Sequence, residues 1–314
     1  MSKAPVYGGI AVVLMILLAI LASTPISRDF SPENPYWNGL SLLRRVLEDY
    51  GYKTVIARRP LDNYPKGSGI ALIVIAPETS LSREELDYLR KHLALGGVLL
   101  LLDDFAYGND ILKGLGTSVR IIGKPVLDPI VNLGHETLPV ATIIDPAYLK
   151  LKDVSLVLNI PSALEVKKST EWFVKVIAIT SEYSFVDYNG NWRIDRNETR
   201  KELPVAVTLT RRGYKGSIVV ISDASFVLNS MLEKGANKEL LLRVLKQYRV
   251  KTVIIDDFHH RRSLIEEVKR TLNEVSEWIL YALSDPLGRY LFILLLVLGL
   301  LMLASRAFRV YENV

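Results

Sequence analysis

Acidic and imidazole side chains collect at the ends of short apolar runs in this 314-residue chain. Val98–Leu102 is followed by Asp103 and Asp104, the run from Ser217 to Ile221 by Ser222 and Asp223, and Thr252–Ile255 by Asp256, Asp257, His259 and His260. If these runs are parallel strands of a doubly wound sheet, their carboxyl ends share one edge, where such sheets bind ligands. Asp103, Asp104, Asp223, Asp257, His259 and His260 are then candidates for a shared acidic pocket, and carboxylates with an imidazole suit a divalent cation. The same aspartates can instead cap the helices that follow, with the histidines packing or facing solvent.

A second constellation is Asp187-Tyr-Asn189-Gly-Asn191-Trp-Arg-Ile194-Asp195-Arg-Asn-Glu198. Asp187, Asn189, Asn191, Asp195 and Glu198 fall at positions one, three, five, nine and twelve of an EF-hand-like loop, with apolar Ile194 at position eight. A wrapped loop of this spacing directs carboxylate and amide oxygens at Ca2+, Glu198 supplying two of them. Trp192 stands at position six, where the sharp turn needs glycine, and no helical flanks are evident. The competing reading is an Asn/Asp/Gly-rich hairpin loop.

Covalent catalysis finds little support. The chain has no cysteine, so a thiolate nucleophile activated by histidine is excluded. No Gly-x-Ser-x-Gly follows a strand, and Ser222-Asp-Ala-Ser225 lacks the glycines that let a nucleophile elbow turn sharply. The net charge of +5 is dispersed, without a stripe of Lys and Arg interleaved with aromatics, which argues against a nucleic-acid surface.

The elements that must position these residues alternate. Leu40, Leu43, Val46, Leu47 and Tyr50 recur at helical spacing before Gly51. Residues 53–57 read as a strand. The continuous apolar run Ile70–Ala76 reads as a central parallel strand covered on both faces. Ser82-Arg-Glu-Glu85 has capping-box spacing and opens a helix burying Leu86, Leu89 and Leu93. Residues 133–203 are β-rich, with strands at 155–158 and 173–180. A hairpin through Arg211–Gly216, a helix over 237–248 and a strand over 252–255 complete an α/β alternation.

Apolar runs over 6–22 and 287–304 approach the length of a bilayer-spanning helix. Lys3 behind one, and Arg306 with Arg309 behind the other, predict two spans with both termini cytoplasmic and residues 28–286 outside the cell.

Several motifs carry a family resemblance. They are Asn38-Gly-Leu-Ser with a helix to Gly51-Tyr52, Leu72-Ile-Val-Ile-Ala-Pro77, Gly96-Gly-Val-Leu-Leu-Leu-Leu-Asp-Asp104, Lys215-Gly-Ser-Ile-Val-Val-Ile-Ser-Asp223 with Asn229 and Asn237, and Ile255-Asp-Asp-Phe-His-His260. The chain resembles a prokaryotic domain-of-unknown-function family, best populated in archaea, with a glutamine-amidotransferase-like domain between membrane helices. The resemblance implies a flavodoxin-like sheet, adds Asn229 and Asn237 to the ligand-binding candidates, and suggests a place in gliding-type transport complexes beside AAA-type ATPases.

The sequence thus predicts a flavodoxin-like, glutamine-amidotransferase-like α/β domain with a mostly parallel sheet and a β-rich insertion, flanked by membrane helices. The segments are an anchor (1–27), α/β halves (28–132 and 204–262), the insertion (133–203), an amphipathic helix (263–286), a second span (287–305) and a tail (306–314). The expected role is a non-catalytic, extracytoplasmic binding or scaffold domain held at the lipid bilayer in a multi-protein complex, with Ca2+ as its candidate ion. The alternative is a metal-dependent hydrolase using the strand-end carboxylates.

Overall fold

The computed structural model describes residues 26–145, 147, 155–269, 271, 272, 275, 284, 289 and 290. Ile26–Arg261 form one compact unit; Met1–Pro25 with Arg262–Val314 form the other. In that second unit residues 264–269 are helical, opened by a capping box in which Glu266 N donates to Ser263 Oγ and Ser263 N to Glu266 Oε2.

The expected two-pass membrane placement is corrected here. Among the described residues no helix is long and apolar enough to cross a membrane. The runs over 6–22 and 287–304 lie outside the described residues, apart from Arg289 and Tyr290.

Within 26–261 a nine-stranded sheet carries the fold. Its parallel strands are β1 (Lys53–Ala57), β2 (Ile70–Ile75), β3 (Val98–Leu102), β12 (Ser217–Ile221) and β13 (Thr252–Asp256). They lie in the order β1-β13-β2-β3-β12. Every residue of β3 and β12 is buried, as continuous apolar runs covered on both faces require. Antiparallel strands β11 (Pro204–Arg211), β9 (Trp172–Ile179), β6 (Val140–Ile143) and β7 (Ser155–Val157) extend the sheet beyond β12. Three of the strands in the β-rich stretch therefore continue the central sheet. Two small sheets pair β4 (Val119–Ile121) with β8 (Leu164–Val166), and β5 (Val126–Leu127) with β10 (Phe185–Val186).

Among the described residues of 26–261, four helices cover the two faces. Helix α1 (Ser41–Asp49) and α4 (Asn237–Gln247) bury Leu43, Val46, Leu240 and Val244 in one core. Helix α2 (Arg83–Ala94) and α3 (Asn109–Gly114) bury Leu89, Leu93, Ile111 and Leu112 in the other. The sheet is thus wound on both sides, and its parallel strands end along one edge. Counted in chain order, those strands run 1-5-2-3-4 across the sheet, unlike the 2-1-3-4-5 order of flavodoxin. The last strand inserts between the first two.

Helix α2 starts as its sequence dictates: Glu85 N donates to Ser82 Oγ, and Ser82 N donates back to Glu85 Oε2. It ends in a Gly96-Gly97 turn over which His92 packs. A Cβ on Gly97 would lie 2.1 Å from the His92 ring, so only glycine lets strand β3 begin there.

Candidate functional site

Strand ends β3 and β12 deliver three carboxylates to one place. Leu102 and Ile221 are register partners, and the chain continues from them into Asp103-Asp104 and Ser222-Asp223. Asp103 is fully buried; its Oδ1 accepts from Phe105 N at 2.9 Å and its Oδ2 from Gly108 N at 2.7 Å. It shapes the loop into α3. Burial pushes its carboxyl up to about 6 despite these two donors.

Asp223 is also fully buried. It accepts from Ser225 N and Asn159 N, each at 2.8 Å, and caps the 3-10 turn Ala224–Val227. Asp104 is partly exposed, and its Oδ1 accepts from Ala224 N at 3.2 Å. Burial, then the Asp103 charge, raises Asp104 to about 7. Burial, then the Asp104 charge, holds Asp223 well above the usual carboxylate range. Five of the six carboxylate oxygens in this group accept backbone N–H bonds; Asp104 Oδ2 is the sixth. The three aspartates expected at this edge lie together there, and Asp223 also serves as a cap.

The histidines serve a different purpose. His259 Nδ1 lies 2.8 Å from Asp256 Oδ2, and its Nε2 lies 3.2 Å from Glu85 Oε1, all three residues being buried. Burial disfavours the imidazolium, but the two carboxylates outweigh it and raise His259 to about 9. Burial pushes Glu85 upward, yet His259 and the N–H groups of Ser82 and Leu61 bring it down to about 2. The expected metal pocket of strand-end carboxylates and imidazoles is corrected accordingly: both His259 nitrogens are engaged, and Asp257 pairs with Arg28. Among the described residues no group of three or more His, Asp or Glu side chains is arranged to hold a metal ion. Glu85, the decisive partner, carries in the sequence only the signature of a capping-box residue.

Asn229 and Asn237 are brackets. Asn229 Oδ1 accepts from Leu42 N at 2.8 Å, while its Nδ2 donates to the carbonyls of Asn34 and Tyr36. Asn237, fully buried, accepts from Val157 N and donates to the carbonyls of Val157 and Met231. Neither belongs to the carboxylate cluster.

The 187–198 loop wraps on buried Asp187. Asp187 Oδ1 accepts from Gly190 N at 2.8 Å and Asn191 N at 3.3 Å, and its Oδ2 from Trp192 N at 2.8 Å. Trp192 takes φ 62°, so position six adopts the left-handed turn without glycine. Glu198 closes the loop, accepting from Tyr188 N and Asp195 N. The Nδ2 groups of Asn189 and Asn191 point at Asp195 Oδ2, at 2.6 and 3.0 Å.

A family model described as a domain of unknown function, DUF4350, matches residues 32–245, which hold the carboxylate cluster and every strand of the nine-stranded sheet except β13. The chain belongs to the DUF4350 family. No curated protein matches it. Among solved structures, the DUF4350 chain is similar to the mmIFT52 N-terminal domain, with 12% identity over 57% of this chain and 76% of that one and a TM-score of 0.44. It is also similar to a beta-galactosidase from Bacillus circulans sp. alkalophilus, with 14% identity over 62% of this chain and 24% of that one and a TM-score of 0.36. The cytoplasmic protein STM3548 from Salmonella typhimurium matches at 12% identity over 67% of this chain and 87% of that one, with a TM-score of 0.37. Likenesses this weak carry no functional argument for the DUF4350 chain.

Proposed function

We propose that the chain is a non-catalytic binding domain that offers the edge around Asp104 to a protein partner, as one subunit of a larger transport or assembly complex. The observation that carries this reading is the use made of the strand-end groups. Asp103 and Asp223 spend all four oxygens on backbone donors, and His259 is locked between Asp256 and Glu85. Groups that hold loops in place are not available to move protons on a substrate. The absent cysteine removes amidotransfer.

The reading includes a degenerate glutamine-amidotransferase-like origin for the sheet, with Asp104 standing after the strand where such a fold carries its nucleophile. An AAA-type ATPase is the class of partner that the family resemblance suggests. The test pairs turnover with capture. The full chain is assayed for glutaminase, esterase and phosphatase activity, and its native partner is cross-linked and identified with and without Asp104→Lys. No turnover, with a partner lost in Asp104→Lys, is expected; turnover abolished by Asp104→Asn would make the domain an enzyme.

A second reading concerns the 187–198 loop, for which we propose Ca2+ binding. Its support is that the left-handed Trp192 turn and the Asp187 wrap close the loop and bring Asn189 and Asn191 onto Asp195. To join Asp195 on the ion, Asp187 and Glu198 would have to exchange their backbone N–H bonds for it, and Asn189 and Asn191 to turn their amide oxygens inward. Calorimetric titration with CaCl2, against Asp195→Ala, tests it.

A further inference from the structure

The segment entering the α/β unit and the segment leaving it are fastened to each other. Arg28 forms a partly buried ion pair with Asp257, and the Phe30 ring stacks on His260, with centroids 6.1 Å apart and planes inclined by 19°. The leaving segment is also pinned to the loop after β2. The His259 carbonyl accepts from Thr79 N at 3.1 Å and from Thr79 Oγ1 at 3.2 Å, and Arg261 N donates to Glu78 Oε2 at 2.7 Å.

Two adjacent histidines in this fastening have opposite needs. His259 has a carboxylate at each nitrogen. His260 is 6% exposed, and its Nε2 is buried with no hydrogen-bond partner. Protonating His260 would leave a charged N–H without an acceptor, beneath the Phe30 ring and near a guanidinium. The charged groups that act on it are Arg28 from the entering segment, Asp256 and Asp257 from the end of β13, and Glu78 from the loop after β2. Burial and Arg28 oppose its protonation, the three carboxylates favour it, and the balance holds the imidazole below its ordinary range.

We propose that these contacts form an acid-released latch, in which protonation of His260 frees residues 26–30 from residues 257–260 and loosens both ends of the unit together. The sign follows from linkage. A histidine depressed in the folded state contributes stability that is present above its unfolded value of 6.5 and is lost as pH falls below it. The neighbouring His259 stays charged throughout this range, so its contacts with Glu85 and Asp256 persist while the His260 contact gives way.

Hydrogen–deuterium exchange on the full chain at about pH 7.5 and about pH 5.5, corrected for intrinsic rates, tests the latch. The amides of Phe30, Thr79 and Asp257, which donate to the carbonyls of Asn38, His259 and Ala57, are the reporters. Their protection should fall about tenfold at the lower pH, the factor that one pH unit of linkage supplies, while amides of β2 and β3 keep theirs. His260→Phe retains a stacking ring without a titrating group and should hold the same protection at both values. Unchanged protection in the wild type at about pH 5.5, or an equal loss in His260→Phe, overturns the proposal. Should His260→Phe fail to fold, His260→Gln takes its place: pH-independent protection supports the latch, and wild-type pH dependence overturns it.

Discussion

Asp104 and Asp223 occupy equivalent places on neighbouring parallel strands, each two residues beyond the paired Leu102 and Ile221. Strand register alone brings the two carboxyls together, and the N–H groups of Ala224, Ser225 and Asn159 fix them there. The pair is retained although burial and mutual repulsion favour its protonated form. In the proposed binding role, it gives the edge a hydrogen-bonding group that changes between donor and acceptor near neutral pH.

Stability should therefore fall as pH rises across this pair. An aspartate raised from 3.8 to about 7 binds its proton in the folded state where the unfolded chain has lost it. The stabilisation is present at low pH and declines between these values. Asp104→Asn should flatten the decline and raise the melting temperature at about pH 8 by a few degrees, at the roughly 2–4 °C per kcal/mol expected for a domain of this size. Thermal melts from about pH 4 to about pH 8 check it; an unchanged slope in Asp104→Asn would falsify the assignment.

The His259 clasp has the opposite signature. A histidine raised to about 9 contributes stability that is full below 6.5 and is lost as pH rises through about 9. Glu85, lowered to about 2, contributes stability that is present above 4.5 and is lost only as pH falls through about 2. His259→Gln or Glu85→Gln should cost about 3–5 kcal/mol, because each leaves a buried charge without its partner. Urea midpoints measured at about pH 7 and about pH 10 distinguish the cases: the wild type should approach the variants at the higher value.

Asn237→Ala should cost about 1–3 kcal/mol, since it strands the Val157 N–H and carbonyl inside the protein. The loss should appear as faster amide exchange in β7 and at the start of α4, leaving β1 and β13 unaffected. Uniform exchange across the sheet would argue that Asn237 does not hold this corner.

Millimolar Ca2+ should raise the melting temperature of the full chain, and Asp195→Ala should remove the increment. A site of roughly 10−4–10−3 M, the range of weak extracellular modules, at about 10 mM ion gives about 1.4–2.7 kcal/mol by mass action. Magnesium at the same concentration should do much less, because it demands a tighter octahedral shell. Equal shifts with both ions would point to a general ionic effect.

Much of the frame was legible because it is local. Continuous apolar runs announced β2 and β3, helical spacing announced α1 and α4, and Ser82 with Glu85 announced the start of α2. Helix α3 escaped because six residues are too few to display a period. The insertion of β13 between β1 and β2 escaped because strand order depends on pairing between distant segments. The same limit hid the site's true partners. Asp103, Asp104 and Asp223 could be grouped by a rule about strand ends, whereas Glu85 meets His259 across 174 residues, which no local pattern encodes. Trp192 shows the converse: the expected glycine is absent, and the loop imposes the left-handed turn on an aromatic residue.

Joining the entry and exit segments at Arg28–Asp257 and Phe30–His260 has a mechanical consequence. Tension applied through the two flanking stretches would meet this knot before it reached any strand. The contacts lie between the two ends, so they would peel apart one at a time instead of resisting together as the parallel hydrogen bonds of β1 and β13 do under shear. The unit would thus yield first at its seam, lengthening its connections while the folded sheet stayed whole.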